Sequence, residues 1–362
     1  MTKRILALTK YPRLGASSRL RTLQYLPLLE QQDFEFDVQS LFDEAYLKNL
    51  YGKGHRSRLA VMGCYFKRLF RLFSVWRYDL IWIEYELFPY LPAFAERLLA
   101  FTGKRYVVDY DDAIFHNYDL SGNSLLRKLL GNKIDVVMEK ASCVIAGNAY
   151  LAARAEAAGA TCIEWVPTVV DPTRYAPHSK ATSRPLVIGW IGSPSTQKYV
   201  VGIKEALRAA CERHHAKLLL VGATPNITTE LPDIDVEVVP WSEEHEAGLI
   251  EGMDVGIMPL PDGPWEKGKC GYKLIQYMAC AVPVVASSVG VNVDIIRGNQ
   301  CGYLADHSEQ WVASLDALLS SLEQRNALGS AGRKAVEETY SLQVQAPILA
   351  RIFNSITKSE MT

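Results

Sequence analysis

What the chain has little of narrows its function first. No stretch of the 362 residues reaches the roughly 18 uninterrupted apolar residues that a membrane span needs. No sign of charge is in excess: 39 Lys and Arg stand against 40 Asp and Glu, so the clustered basic surplus of a nucleic-acid binder is missing. Seven cysteines are scattered along the sequence without a C-x-x-C pair that could clip zinc, and they are expected to be reduced and mostly buried. Neither half opens with a complete G-x-G-x-x-G, which disfavours a nicotinamide-dependent oxidoreductase. The start, MTKRILALTKYP, has only five uncharged residues between Arg4 and Lys10, a first strand and too short for a signal sequence. A cytoplasmic protein is expected, without nucleic acid as partner.

What is present is an ordinary globular composition, 49% hydrophobic and 22% charged, on a chain long enough for two domains. Short apolar strands alternate with helical patterns in both halves, the rhythm of an α/β fold with parallel sheets. Prolines and polar residues without apolar periodicity run from Asp171 to Pro185 and read as a linker, with the boundary near Lys180. The expected division is 1–180, 181–340 and a final helix over 341–362.

The most informative stretch is GKCGYKLIQYMACAVPVVASSVG, Gly268 to Gly290. Gly268 and Gly271 allow a sharp turn and a close backbone approach to a ligand. From Tyr272 onward Leu274, Ile275, Met278 and Ala279 mark one helical face, and Val284, Val285 and Ala286 read as a strand covered on both sides. Lys269 and Lys273 stand near the helix's amino end. Cations oppose the dipole there, so the placement makes sense for an anion held by free amides and both ammoniums. Upstream, strand Leu186 to Ile191 runs into the loop Gly192, Ser193 to Lys198. Trp241 offers a face for a nucleobase, or is simply a packed loop tryptophan.

In the first half, Ser17 or Ser18 can cap a helix whose first turn carries Arg19 and Arg21. These arginines either contact an anion or acceptor or are merely solvated. Residues 55–77 interleave Lys67, Arg68, Arg71 and Arg77 with Phe66, Phe70, Phe73 and Trp76, which suits a helix lying on an anionic membrane or a core helix with a basic solvent face. Strand Tyr106 to Val108 ends in Asp109, Asp111, Asp112 and His116, at the strand end where open α/β sheets hold ligands. An Asp-x-Asp pair could hold a divalent ion; three acids within four positions otherwise repel one another unless hydrogen bonds offset them, and an aspartate capping the next turn accounts for one of them.

KLIQYMACAVPVVASSVG resembles the helix–strand signature of family-four retaining glycosyltransferases, VPTVVDPTRYAP resembles their hinge, and GASSRLR their first loop. The resemblance implies the GT-B architecture, two Rossmann-like doubly wound domains facing each other across a cleft, with the C-terminal helix bracing the first. It implies metal-independent transfer from a UDP- or GDP-linked sugar, with no further cofactor, to a glycan or lipid-linked hydroxyl, in polysaccharide, lipopolysaccharide or glycolipid biosynthesis. Peripheral contact with the inner face of the cytoplasmic membrane goes with such an acceptor. Donor-binding roles fall on Gly192, Ser193, Lys198, Trp241, Lys269, Gly271, Tyr272, Lys273 and Gln276. Catalytic roles fall on Asp109, Asp111, Asp112, His116 and Lys273, and acceptor contacts on Ser17, Ser18, Arg19 and Arg21. The chain departs from the pattern where Gln276 and Gly268 replace a glutamate pair, Ala281 a glycine and Ser193 an arginine. These departures leave room for a catalytically silent sugar-nucleotide-binding scaffold or regulatory subunit.

Overall fold

A computed structural model describes residues 2–53, 58–177 and 185–358. The chain divides into two compact units: Met1–Thr168 joined by Gln345–Thr362, and Val169–Val344. Asp171 caps a short turn, Pro172–Arg174, and Tyr175 behind it is buried in the second unit with its hydroxyl on Glu246. The first part of the expected linker is therefore folded into the second unit, ahead of Lys180, which lies outside the described residues.

The first unit is built on strands β1 (Lys3–Thr9), β2 (Phe34–Ser40), β3 (Leu80–Glu84), β4 (Tyr106–Tyr110), β5 (Cys143–Ala146) and β6 (Ile163–Trp165). They form one sheet in the order β2-β1-β3-β4-β5-β6, parallel throughout. β3 and β4 are buried at every residue, as expected of strands covered on both faces. The C-terminal helix Leu342–Lys358 contributes its later residues to this unit. Phe353 meets the rings of Trp82 at 5.1 Å and Phe34 at 6.0 Å, and Lys3 donates to Asn354 at 2.6 Å.

Strands β7 (Val187–Ile191), β8 (Lys217–Val221), β9 (Val236–Val239), β10 (Val255–Met258), β11 (Val284–Ala286) and β12 (Gly302–Leu304) form the second unit's sheet in the order β12-β11-β10-β7-β8-β9, again parallel. Chain order reverses between β1 and β3 in the first sheet and between β7 and β10 in the second. At such a reversal the connecting helices leave on opposite faces and open a crevice at the strands' carboxyl ends, where ligands are taken.

Local details differ from the expectations. Cys143 and Cys162 are joined by a disulfide, not reduced, because the β5–β6 register pairs Val144 with Ile163 and so sets the flanking cysteines side by side. Neither Ser17 nor Ser18 caps a helix. The helix of residues 58–72 (Arg58–Leu72) turns Val61, Cys64, Tyr65 and Leu72 partly inward and leaves Lys67 exposed, but two features depart from an ordinary amphipathic helix. Arg68 faces inward, 1% exposed, donating to the Thr9 and Gln39 carbonyls at 2.7 and 3.0 Å, while Phe66, Phe70 and Phe73 face outward. The solvent face is thus aromatic as well as basic. Among the described residues no helix is long and apolar enough to cross a membrane.

Candidate functional site

The loop leaving β7 and the helix Tyr272–Ala279 that follows β10 meet at the reversal point of the second sheet. Two contacts place that helix. Tyr277 is fully buried and its hydroxyl accepts from the Ile191 amide at 3.0 Å and donates to the Ile257 carbonyl at 3.3 Å, pinning the helix to β7 and β10 together. Lys273 is one turn earlier on the same face, so its ammonium is carried to the mouth of β7. There it lies 4.7 Å from the Trp190 ring centroid, in cation–π range, and a Cβ on Gly192 would stand 2.9 Å from it and 2.3 Å from the Trp190 ring. Gly192 is required by this closeness.

Gly271 precedes the helix with φ of 67°, in the left-handed region, and, having no side chain, cannot cap it. A Cβ there would strike Ile295 at 2.6 Å, so only glycine brings the chain into the helix from this direction. Among the described residues no hydrogen bond or ion pair joins Lys273 to a carboxylate. Burial against Trp190 and repulsion from Lys269 bring its pKa down to about 7. A cation held half-buried at the amino end of its own helix is arranged for an anion.

The remaining donor-side residues divide. Trp241 packs beside Gly222, whose would-be Cβ is 2.3 Å from the Gly192 carbonyl and 3.2 Å from the Trp241 Cβ, so Trp241 flanks the β7 mouth. Its indole N–H donates to Glu246 at 2.8 Å. Glu246, 2% exposed, also accepts from Tyr175 at 3.0 Å, and Tyr175 in turn accepts from Gln276 at 3.3 Å. Gln276 is thus enclosed in a polar chain, 3% exposed, and Tyr272 hydrogen-bonds the same Tyr175 hydroxyl. Ser193 is exposed and bonded within its own loop, to Ser195 and Thr196. Lys198 is exposed over the ring of Tyr199 at 5.3 Å. Glu246 escaped the sequence reading because its segment, SEEHEAG, reads as a solvated acidic helix start.

In the first unit the corresponding reversal point, between β1 and β3, holds Glu84, which sequence reading also missed. It is buried at the carboxyl end of β3 and accepts from Ser17 at 2.7 Å, from Ser18, and from the Lys10 amide at 2.7 Å. Burial raises its pKa against these hydrogen bonds. One signal was legible, since a lone glutamate ending an otherwise apolar strand repeats what Asp109 does on the next. Asp109 pairs with Arg21 at 2.7 Å, both nearly fully buried, and Arg21 also donates to the Val166 carbonyl at 2.8 Å. Burial lifts Asp109 to about 6 despite the guanidinium. Arg19 is buried too and donates to the Arg13 carbonyl at 3.2 Å. Asp111 accepts from the Tyr85 hydroxyl, and Tyr85 holds φ at 63°, an unusual conformation for a large residue. His116 stands apart, its ring nitrogens on Asp119 at 2.8 Å and Tyr150 at 2.9 Å, with Asp119 held by Arg154 at 3.0 Å. Asp112 is half-buried and turns the chain, its carbonyl accepting from the Ile114 amide at 2.8 Å. Glu84, Asp109 and Asp111 therefore share one strand-end cluster with Arg21, and His116 belongs to a neighbouring network. Among the described residues no three His, Cys, Asp or Glu side chains are grouped to hold a metal ion.

Residues 185–321 match the family model of the glycosyl transferases, group 1. The match spans the whole Lys273 site. No curated protein sequence matches the chain. Similar solved structures share its fold at low identity. Sucrose-phosphate synthase from Thermosynechococcus elongatus has a TM-score of 0.73 at 16% identity, over 99% of this chain and 100% of that one. A glycosyltransferase from Rickettsia africae reaches 0.71 at 15%, over 99% of each chain. HepE of Anabaena, in complex with UDP-glucose, reaches 0.69 at 15%, over 98% of this chain and 100% of that one. The chain has the α/β GT-B fold of these glycosyltransferases.

Proposed function

We propose that the protein transfers a sugar from a nucleoside-diphosphate sugar to an acceptor hydroxyl, with retention of anomeric configuration and without a divalent ion. The observation that carries this is Lys273, a cation with no carboxylate partner among the described residues, held on the Trp190 ring at the amino end of its own helix and at the second sheet's reversal point. As the sugar leaves, charge builds on the β-phosphate, and preorganised donors aimed at that charge are often the largest single catalytic contribution. Lys273, with the amides after Gly271 and Lys269 nearby, fits that duty, and the leaving phosphate takes the incoming hydroxyl's proton on the same face. HepE, which has the same fold, was crystallised with UDP-glucose, which favours a UDP-linked donor. Glu84, Asp109 and Asp111 would orient the acceptor, a glycan or lipid-linked hydroxyl, in the first unit.

The test is turnover. The protein is incubated with a panel of nucleotide sugars in chelator, and released nucleoside diphosphate and glycosylated product are measured, with the anomeric configuration read by NMR. Transfer with retention is the expected result. Activity that appears only with manganese or magnesium would overturn the metal-free mechanism.

A second reading, a silent sugar-nucleotide-binding subunit, draws on the position of Gln276. Its side chain is engaged inside the protein where the resembled family presents a carboxylate to the donor ribose. Tight donor binding with neither transfer nor hydrolysis would favour it.

A further inference from the structure

The first unit carries an apolar surface that its own fold leaves uncovered. On the helix of residues 58–72, Leu59, Met62, Phe66, Leu69 and Phe70 point outward, and Phe73 and Trp76 continue the face just beyond it. Phe70 and Phe73 are 70% and 76% exposed. Helix Phe94–Phe101 adds Phe94, Leu98 and Phe101, the last 89% exposed, and helix Ser124–Leu130 adds Leu125 and Leu129. The elements that carry these faces are neighbours, linked beneath the surface by the buried Phe88 ring. Tyr65 lies 5.7 Å from Phe88 and Phe88 5.8 Å from Phe94, and Phe94 and Leu129 both line a groove of about 480 Å³.

Charge distinguishes the surface from an ordinary protein interface. The same groove is lined by Arg97, Arg127 and Lys128, all exposed, and Lys67 stands exposed among the outward aromatics. Residues 58–77 contain five basic residues and no acidic one, and residues 124–133 three and none, within a chain of net charge −1. Arg68, Arg71 and Lys133 are not part of this field: Arg68 is buried on backbone carbonyls, Arg71 is paired with Asp37 and bonded to Tyr78, and Lys133 is buried against Glu86. Aromatic side chains interleaved with exposed cations are the composition that binds the interface of a bilayer, where rings enter the headgroup boundary and cations meet phosphates.

We propose that the first unit docks on an anionic phospholipid bilayer through this face, with Phe66, Phe70, Phe73 and Phe101 entering the interface and Arg97, Arg127 and Lys128 gathering headgroup phosphates in the groove. The surface stands independently of sugar transfer. It rests on the transferase reading only for its consequence, that a lipid-linked acceptor is met at the membrane.

Co-sedimentation of the full chain with phosphatidylcholine vesicles, and with the same vesicles containing about one quarter phosphatidylglycerol, tests this. Binding is expected to be at least tenfold stronger to the anionic vesicles and to fall about tenfold when Phe70 and Phe73 become Ser, or when Arg97, Arg127 and Lys128 become Gln. Far-ultraviolet circular dichroism confirms that each variant is folded, and a free inorganic-phosphate arm separates headgroup capture from simple anion binding. Equal binding to both vesicles, variants that bind like the parent, or displacement by millimolar phosphate alone would overturn the proposal. So would a concentration-dependent dimer that Phe70→Ser with Phe73→Ser dissociates, since the face would then belong to a second copy. Transfer to a water-soluble acceptor, measured in parallel, is unaffected by any of these outcomes.

Discussion

Lys273 shows how a single residue can be costly in the free protein and useful in the complex. Its folded pKa, near 7, lies below the ordinary 10.5, so folding expels a proton between those values. The sign follows: the penalty is complete below about pH 7 and fades as pH rises toward 10.5. Lys273→Met should therefore stabilise the protein most below pH 7, by about 1–3 kcal/mol, reduced from the full linkage value because the side chain keeps partial exposure. Chemical denaturation at several pH values measures it. A bound diphosphate reverses the balance, and nucleoside-diphosphate binding near pH 8 should take up a proton, which calorimetry in buffers of different ionisation enthalpy detects. Lys273→Ala should lower turnover by about 10²- to 10³-fold and donor affinity much less, because the interaction strengthens as charge develops. Near-normal turnover in a folded variant would remove Lys273 from the reaction. The lysine was legible from its place after Gly271, but its seat on an aromatic ring in place of a carboxylate was not, since that depends on Trp190 and Gly192, brought in by another strand.

Among elements, the helix of residues 272–279 and the strand after it were legible almost to the residue, because glycine punctuation, a helical apolar face and a continuous apolar strand fall together in one short stretch. What sequence could not give were partnerships between elements far apart in the chain: Glu84 with Ser17, Asp109 with Arg21, Glu246 with Tyr175 and Trp241. In the helix of residues 58–72 the inward turn of Arg68 was illegible, since it depends on the Thr9 and Gln39 carbonyls, brought in by other strands. The Tyr175 network yields a counter-intuitive expectation about Gln276. Restoring the resembled family's carboxylate with Gln276→Glu places an acceptor where the amide now donates to Tyr175. The single Tyr175 hydroxyl proton already serves Glu246 and cannot satisfy both. One buried carboxylate then lacks its partner, at a cost of about 1–3 kcal/mol. Thermal melting should show the loss, with no gain in nucleotide affinity; a stabilised variant that binds donor more tightly would mean that Gln276 reaches the ligand after all.

At the scale of the whole molecule, the chain completes its first unit twice, once with residues before Thr168 and again with residues after Val344. Phe353 on the returning segment is fully buried and seated against Trp82 and Phe34, so the last helix is part of the first unit's core although it is made last. The Lys273 site, by contrast, lies wholly in the second unit. The two units can therefore be perturbed separately. Phe353→Ala should cost about 3–5 kcal/mol by removing a buried ring and leaving a cavity, and should lower the unfolding of the first unit. A nucleoside diphosphate at about 100 times its dissociation constant should add about 2.7 kcal/mol to the second. Calorimetric melts of the parent and of Phe353→Ala, each with and without nucleotide, form a four-way comparison. If the units unfold in separate transitions, the variant moves one and the nucleotide the other, and the two shifts are additive. If the protein melts as one cooperative body, a single transition moves with both. A nucleotide shift that is lost in a folded Phe353→Ala protein would contradict the placement of the donor site within the second unit alone, because the rings that Phe353 meets, those of Trp82 and Phe34, belong to the first.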